Sequence, residues 1–160
     1  MRTLAAGNKR HLHPSRGFTL MELLVVVALI AVATAGVGLS LRDSAETALQ
    51  RDAERLAALL ETGRAQARAH GVPVVWLTPA DGSRFEFAGL QPPGLPGHWL
   101  SSHTRALAGI RISLGPEPLI EPQAVALSST MSTGKTLWVV TDGLRPFRVQ
   151  STPDRSGVQP

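Results

Sequence analysis

The residues of this 160-residue chain that could do chemistry are few. Ser132-Thr133-Gly134-Lys135-Thr136 imitates the end of a phosphate-binding loop. A loop of that kind needs a glycine five residues before its Gly-Lys pair, so that backbone N–H groups can close around the phosphates, and position 129 is Ser. The segment also leads into a β-like run where the motif requires a helix. His70, His98 and His103 are potential metal ligands, but no two stand i, i+4 on a helix and no carboxylate accompanies them at a fixed spacing. Ser128 and Ser129 lack the glycine frame of a nucleophile elbow. The absence of cysteine removes disulfide scaffolds, thiolate zinc sites and thiol nucleophiles together. No enzymatic activity, cofactor or metal is expected. One charged residue remains to be explained: Glu22, an acid placed early in a long apolar run.

That run fixes where Glu22 sits. From Leu23 to Leu41 there are 19 residues without a charge, and counting from Phe18 gives 24 residues with Glu22 among them. At about 1.5 Å of rise per residue such a helix approaches the roughly 30 Å of a hydrocarbon core. Arg2, Lys9, Arg10 and Arg16 precede it with no acid among them, so the positive-inside rule keeps the N-terminus in the cytoplasm and sends the chain after Arg42 across the membrane. The formal charge of +4 resides wholly in this leader, because the remaining 12 Lys and Arg balance 12 Asp and Glu. Residues 18–160 are thus formally neutral, which weakens the argument for a nucleic-acid partner. Arg105, Arg111, Arg145, Arg148 and Arg155 are the cations that would have to converge for such a role.

Three readings of the run differ over Glu22. A secretory signal would be cut after Ala33-Thr34-Ala35, releasing a β-rich binding protein, but its apolar stretch is normally 7 to 15 residues and has no use for an acid. A plain membrane anchor would carry the acid at a cost of about 2.5 to 3.5 kcal/mol at a helix centre. The third reading rests on the string Gly17-Phe18-Thr19-Leu20-Met21-Glu22, which resembles the class III leader junction of type IV pilins and type II secretion pseudopilins. The resemblance implies cleavage by a prepilin peptidase between Gly17 and Phe18, methylation of the new Phe18 amine by the same enzyme, and pairing of Glu22 with the N-terminus of a neighbouring subunit. Such pairing would make a charge that is costly in one subunit favourable on assembly. Leu39 stands where major pilins commonly carry a proline, which argues against an abundant shaft subunit. Gly36 and Gly38 fall late in the same run, where they permit bending or close helix approach.

The elements beyond the membrane follow from periodicity. Ala45, Leu49, Ala53, Leu56 and Leu60 recur every three or four residues, with Arg51, Asp52, Glu54 and Arg55 on other faces, expected to meet solvent or neighbouring subunits. Gly71 and Pro73 should end the helix, giving one helix over about 18–70. Short β-like runs follow at 72–78, 84–90, 110–114, 124–129, 136–140 and 146–150. "PADGS" and "TDG" supply turn chemistry, Trp138, Phe147 and Val149 read as core of the last hairpin, and 91–103 reads as a surface loop, either a binding determinant or a connector anchored by Trp99. The tail over 151–160 is expected to fray.

The expected organisation is a leader over 1–17, a transmembrane half-helix over 18–41, an amphipathic half over 42–70 and a β-rich periplasmic domain over 71–160. The fold class is α+β and pilin-like: a long N-terminal helix packed on a C-terminal antiparallel β-sheet domain, as one sheet or two small ones. "ARAHGVPVVW" and "DGLRPFRV" resemble the GspH/FimT branch of minor pseudopilins and pilins. That resemblance implies a minor pseudopilin of a type II secretion system, single-pass in the inner membrane and assembled into a periplasmic pseudopilus near its tip. Its partners would be other major and minor pseudopilins, the prepilin peptidase/methyltransferase, and secreted substrates or the secretin. The alternative within the family is a type IV pilus minor pilin in pilus priming or DNA uptake.

Overall fold

A computed structural model describes residues 18–107, 109–132 and 134–152, and, within the long helix, the side chains outside 35–42. The leader over 1–17, Arg155 and the tail from 153 lie outside the described residues. The chain divides into two units, Met1–Gly38 and Leu39–Pro160. Helix α1 spans Leu20–His70, close to the expected 18–70, and contributes to both.

In the first unit α1 is apolar on every face. From Phe18 to Val32 each large apolar side chain is at least 40% exposed, a pattern that needs lipid or other helices around it rather than water. Among the described residues no helix is long and apolar enough to cross a membrane. The side chains at 35–41, which complete the expected span, lie outside that set.

In the second unit the amphipathic stripe packs as its spacing predicts. Leu49, Ala53, Leu56 and Leu60 are at most 1% exposed, and Ala67 extends the row. Gly63, in the same row, brings the helix so close to the sheet that a methyl there would stand 2.9 Å from Leu114 Cδ1. The helix ends as Gly71 turns left-handed at φ 62°, and the Val72 N–H reaches back to the Ala67 carbonyl at 3.2 Å, the pairing that satisfies orphan carbonyls at a glycine-terminated helix.

Among the described residues seven short strands form two antiparallel sheets. β1 (Val75–Leu77), β2 (Glu86–Ala88) and β4 (Arg111–Ser113) are ordered β2-β1-β4, and β3 (Thr104–Ala106), β5 (Gln123–Ser129), β6 (Thr136–Thr141) and β7 (Arg148–Gln150) are ordered β3-β5-β6-β7. β5 and β6 form the longest ladder, from Gln123↔Thr141 to Ser128↔Thr136. Trp76, Val125, Leu127 and Val139 point into one core with the stripe of α1. Phe85 packs against Trp99 with centroids 4.6 Å apart and planes tilted by 59°, so Trp99 anchors the proline-rich loop. Phe147 is buried and Val149 packs against the core, whereas Trp138, expected in the core, is only half-buried because it alternates with the buried Leu137 and Val139 and so takes the other face of β6. The fold is α+β, a long helix packed on antiparallel sheets. β3 was not expected: Thr-Arg-Ala lacks the aromatic and β-branched run that marks a strand, and it is held by its partners on β5, Leu127 to Ser129.

Candidate functional site

The segment with the chemical signature lies at the start of α1. Thr19 is the helix N-cap: its carbonyl accepts the Leu23 N–H at 3.2 Å, and its Oγ1 accepts the Glu22 N–H, also at 3.2 Å. Thr-x-x-Glu is the capping-box pattern, with the hydroxyl satisfying an otherwise orphan amide. Glu22 thus falls in the first turn, where the positive end of the helix dipole favours an anion. Its carboxylate makes no hydrogen bond or ion pair with any described residue, and Phe18 beside it is 72% exposed. The expected cleavage residue Gly17 lies outside the described residues. This segment therefore presents a cap that fixes the helix start, an aromatic residue before it, and a free carboxylate one turn in.

The second unit contains a polar system that periodicity did not reveal. Asp52, expected with the solvent-facing charges, is 1% exposed. Its carboxylate accepts hydrogen bonds from Leu100 N at 2.7 Å, Ser101 N at 3.1 Å and Thr104 Oγ1 at 2.7 Å. One turn on, Arg55 Nη1 donates to the His98 carbonyl at 2.6 Å. Arg64 is likewise buried, and its Nη2 donates to the Gly143 carbonyl at 2.5 Å while Glu61 Oε1 accepts the Phe147 N–H at 3.0 Å. Lys135, the lysine of the phosphate-loop imitation, forms an ion pair with Glu46 of the helix. Apart from the Thr104 hydroxyl and Lys135, the partners of these ionic groups are backbone atoms, which bind the loop over 98–104 and the β6–β7 turn to the helix. Of the expected solvent-facing set, Arg51 and Glu54 are exposed, while Asp52 and Arg55 turn inward because the loops leave N–H and C=O groups that need partners there.

Two exposed turns hold aspartates whose carboxyls lie below the usual range. For Asp81 the main cause is the Ser83 hydroxyl, which donates to it at 2.7 Å, and for Asp142 it is the Arg145 N–H, also at 2.7 Å. Both follow from the turn chemistry of "PADGS" and "TDG". Gly143 is at φ 86°, and a methyl there would collide with the Ile120 carbonyl, so the turn requires glycine.

The remaining candidates are dispersed. His70 ends α1, while His98 and His103 are exposed in the loop that follows β2. Arg105 on β3 spends its Nη1 on the Ser102 and Thr104 carbonyls, and the strand order separates it from Arg148 on β7 by two strands. Arg111 lies on the other sheet. Thr19 could have been found in the sequence from its spacing to Glu22. Asp52 and Arg64 had no such signal, since their partners are backbone atoms of distant loops.

A protein-family model, the prokaryotic N-terminal methylation motif, matches residues 12–38. No curated protein matches the sequence as a whole. Among solved structures the chain is similar to the type IV minor pilin FimU of Pseudomonas aeruginosa (strain PAO1) in two crystal forms. The P21 form gives a TM-score of 0.46 and 16% identity over 71% of this chain and 95% of that one. The P65 form gives 0.46 and 18% over 69% and 98%.

Proposed function

We propose that this chain is a precursor of a pilin-class minor subunit that is cut between Gly17 and Phe18, methylated on the Phe18 amine and assembled into a filament through α1. The observation that carries the reading is the conjunction at one place of a methylation motif over 12–38, a capped helix start at Thr19 and an unpartnered Glu22 carboxylate. An apolar helix exposed on all faces supports it, since such a surface is stable only among lipids or packed helices. In the filament the Glu22 carboxylate would meet the Phe18 amine of a neighbour, so assembly would neutralise both charges away from water.

The machine we infer is the pseudopilus of a type II secretion system, with the β-rich head in the periplasm and other pseudopilins and the prepilin peptidase as partners. A type IV pilus would use the same anchor and processing. The work is mechanical in either case, and no residue is assigned a catalytic role.

The test is the intact mass and N-terminal sequence of the protein from membranes, with and without a co-expressed prepilin peptidase. Methyl-Phe18 appearing only with the peptidase is the expected result. A chain beginning at Gly36 would make this an exported soluble protein and remove the role assigned to Glu22. Retention of the processed subunit in isolated pseudopili or in pili then separates the two machines.

A further inference from the structure

The hairpin of β5 and β6 lies along the second half of α1, and two contacts fix its direction. Lys135, just before β6, pairs with Glu46, and past the other end of β6 the Gly143 carbonyl accepts from Arg64. β6 therefore runs in the same sense as the helix, and the turn that joins β5 to β6 is the end of the hairpin nearest the apolar run. Glu46 stands four residues beyond Arg42, where that run ends, which is about 6 Å of helix rise. With Arg42 at the hydrocarbon edge, Glu46 is then no more than about 6 Å above that edge, whatever angle the helix makes with the bilayer. A bilayer of roughly 40–45 Å around a core of roughly 30 Å has a headgroup layer of roughly 5–8 Å on each side. The turn that Lys135 ties to Glu46 thus comes down at headgroup depth.

The chemistry of that end suits a lipid surface. Met131 in the turn is 48% exposed, and the Lys135 side chain is 40% exposed, with an ammonium that has donors beyond the one Glu46 takes. The Thr130 N–H donates to the His103 carbonyl at 2.9 Å, which brings the end of the loop over 98–104 to the same place. No acid occurs over 87–116 or over 124–141, so these two segments bring His103, Arg105 and Lys135 without a carboxylate of their own. An exposed apolar side chain among cations is the composition of an interfacial contact with phosphate-bearing lipid. We propose that the β5–β6 turn rests in the phospholipid headgroup layer, so that the bilayer holds the head as well as the helix. This inference rests on the reading of 18–41 as a membrane span. The opposite end of the head supplies the contrast: Leu144, 73% exposed, lies beside Gly143 at the level of Arg64, about 27 Å of helix rise past Glu46.

The test uses the full chain reconstituted in vesicles of phosphatidylethanolamine and phosphatidylglycerol. The chain has no cysteine, so Met131→Cys, Leu144→Cys and Val32→Cys each give a single thiol for an environment-sensitive fluorophore. Lipid with a nitroxide on its headgroup should quench the label at 131 several-fold more than the label at 144, and lipid with a nitroxide on its acyl chain should quench the label at 32. Thr130→Cys, exposed in the same turn, serves if the label at 131 disturbs the fold. Equal quenching at 131 and 144 would overturn the proposal, while quenching at 32 would leave the span standing. A label at 131 whose emission shifts to the blue but is not quenched by headgroup nitroxide would also overturn it, because protein rather than lipid would then cover the turn. Absence of quenching at 32 would remove the span, and the proposal with it.

Discussion

Replacing Asp52 with alanine tests how the helix holds the head. The carboxylate is 1% exposed and accepts three hydrogen bonds at 2.7, 3.1 and 2.7 Å. A hydrogen bond to a charged group contributes about 1.5–3 kcal/mol, but the three are not additive. In the alanine variant the partly buried Leu100 and Ser101 amides can regain water, whereas the Thr104 hydroxyl, at a fully buried residue, cannot. The expected loss is therefore about 3–5 kcal/mol, a large share of a typical domain's 5–15 kcal/mol. Asp52→Asn keeps one acceptor and turns a donor towards Ser101 N–H or Thr104 Oγ1, for a loss of about 1–2 kcal/mol. Thr104→Val, which leaves the buried carboxylate with two of its three donors, should cost about 1.5–3 kcal/mol. Glu54→Ala, two residues on and on the exposed face, should stay within about 0.5 kcal/mol. The assay is urea unfolding of the full chain in a mild detergent, followed by tryptophan emission, with amide exchange read at Leu100 and Ser101. An alanine variant within about 1 kcal/mol of wild type, or unchanged protection of those two amides, would refute the clamp.

Two further outcomes follow from the turns. Gly143→Ala should destabilise by about 2 kcal/mol or more, because φ 86° and the Ile120 carbonyl both oppose a Cβ; a melting temperature equal to wild type would contradict the geometry. The carboxyls of Asp81 and Asp142 are lowered in the fold, so the stability they lend is fully present above the ordinary aspartate value of about 3.9 and is lost as pH falls through the lowered values. Protection of the Ser83, Leu144 and Arg145 amides should accordingly hold at pH 6 and decline below about pH 4, and a decline beginning near neutrality would point to another group.

Periodicity carried the helix and most strands because both are set by which side chains must leave water. Leu49, Ala53, Leu56 and Leu60 repeat at the helical period and are buried as a row. Gly71 and Pro73 ended the helix for local reasons, as did the turn residues at 79–83 and 141–143. What escaped depended on distant backbone. Asp52 has the same neighbours in sequence as the exposed Arg51 and its burial is decided 48 residues away, at Leu100. β3 has no strand-forming run of its own and is set by β5. Lys135 was visible only as part of a failed motif, yet the fold uses its charge against Glu46. The candidate site was more legible than the clamp because the helix start is local: Thr19, Glu22 and the apolar run lie within a few turns of one another.

Glu22 has two roles that one substitution can separate. In the isolated chain it occupies the third position of a capped helix, where an anion is favoured by the helix dipole and where glutamine serves a capping box nearly as well as glutamate. In the proposed filament it must carry a charge, because its partner would be the cationic amine of another subunit. Glu22→Gln keeps the volume and polarity of the side chain and removes its charge, while Glu22→Ala removes side chain and charge together; both keep the bond from the residue 22 backbone N–H to Thr19 Oγ1. If only a polar side chain in the first turn matters, Gln should assemble like wild type and Ala should fail. If pairing matters, both should insert and be processed at Phe18 yet both should be under-represented in purified filaments, with Gln about as depleted as Ala. The dipole contribution lost is only about 0.3–1 kcal/mol, whereas an amine left unpaired in a packed, water-poor bundle costs several kcal/mol, so the second outcome is expected. Normal incorporation of the Gln variant would show that the carboxylate's charge is not what assembly uses.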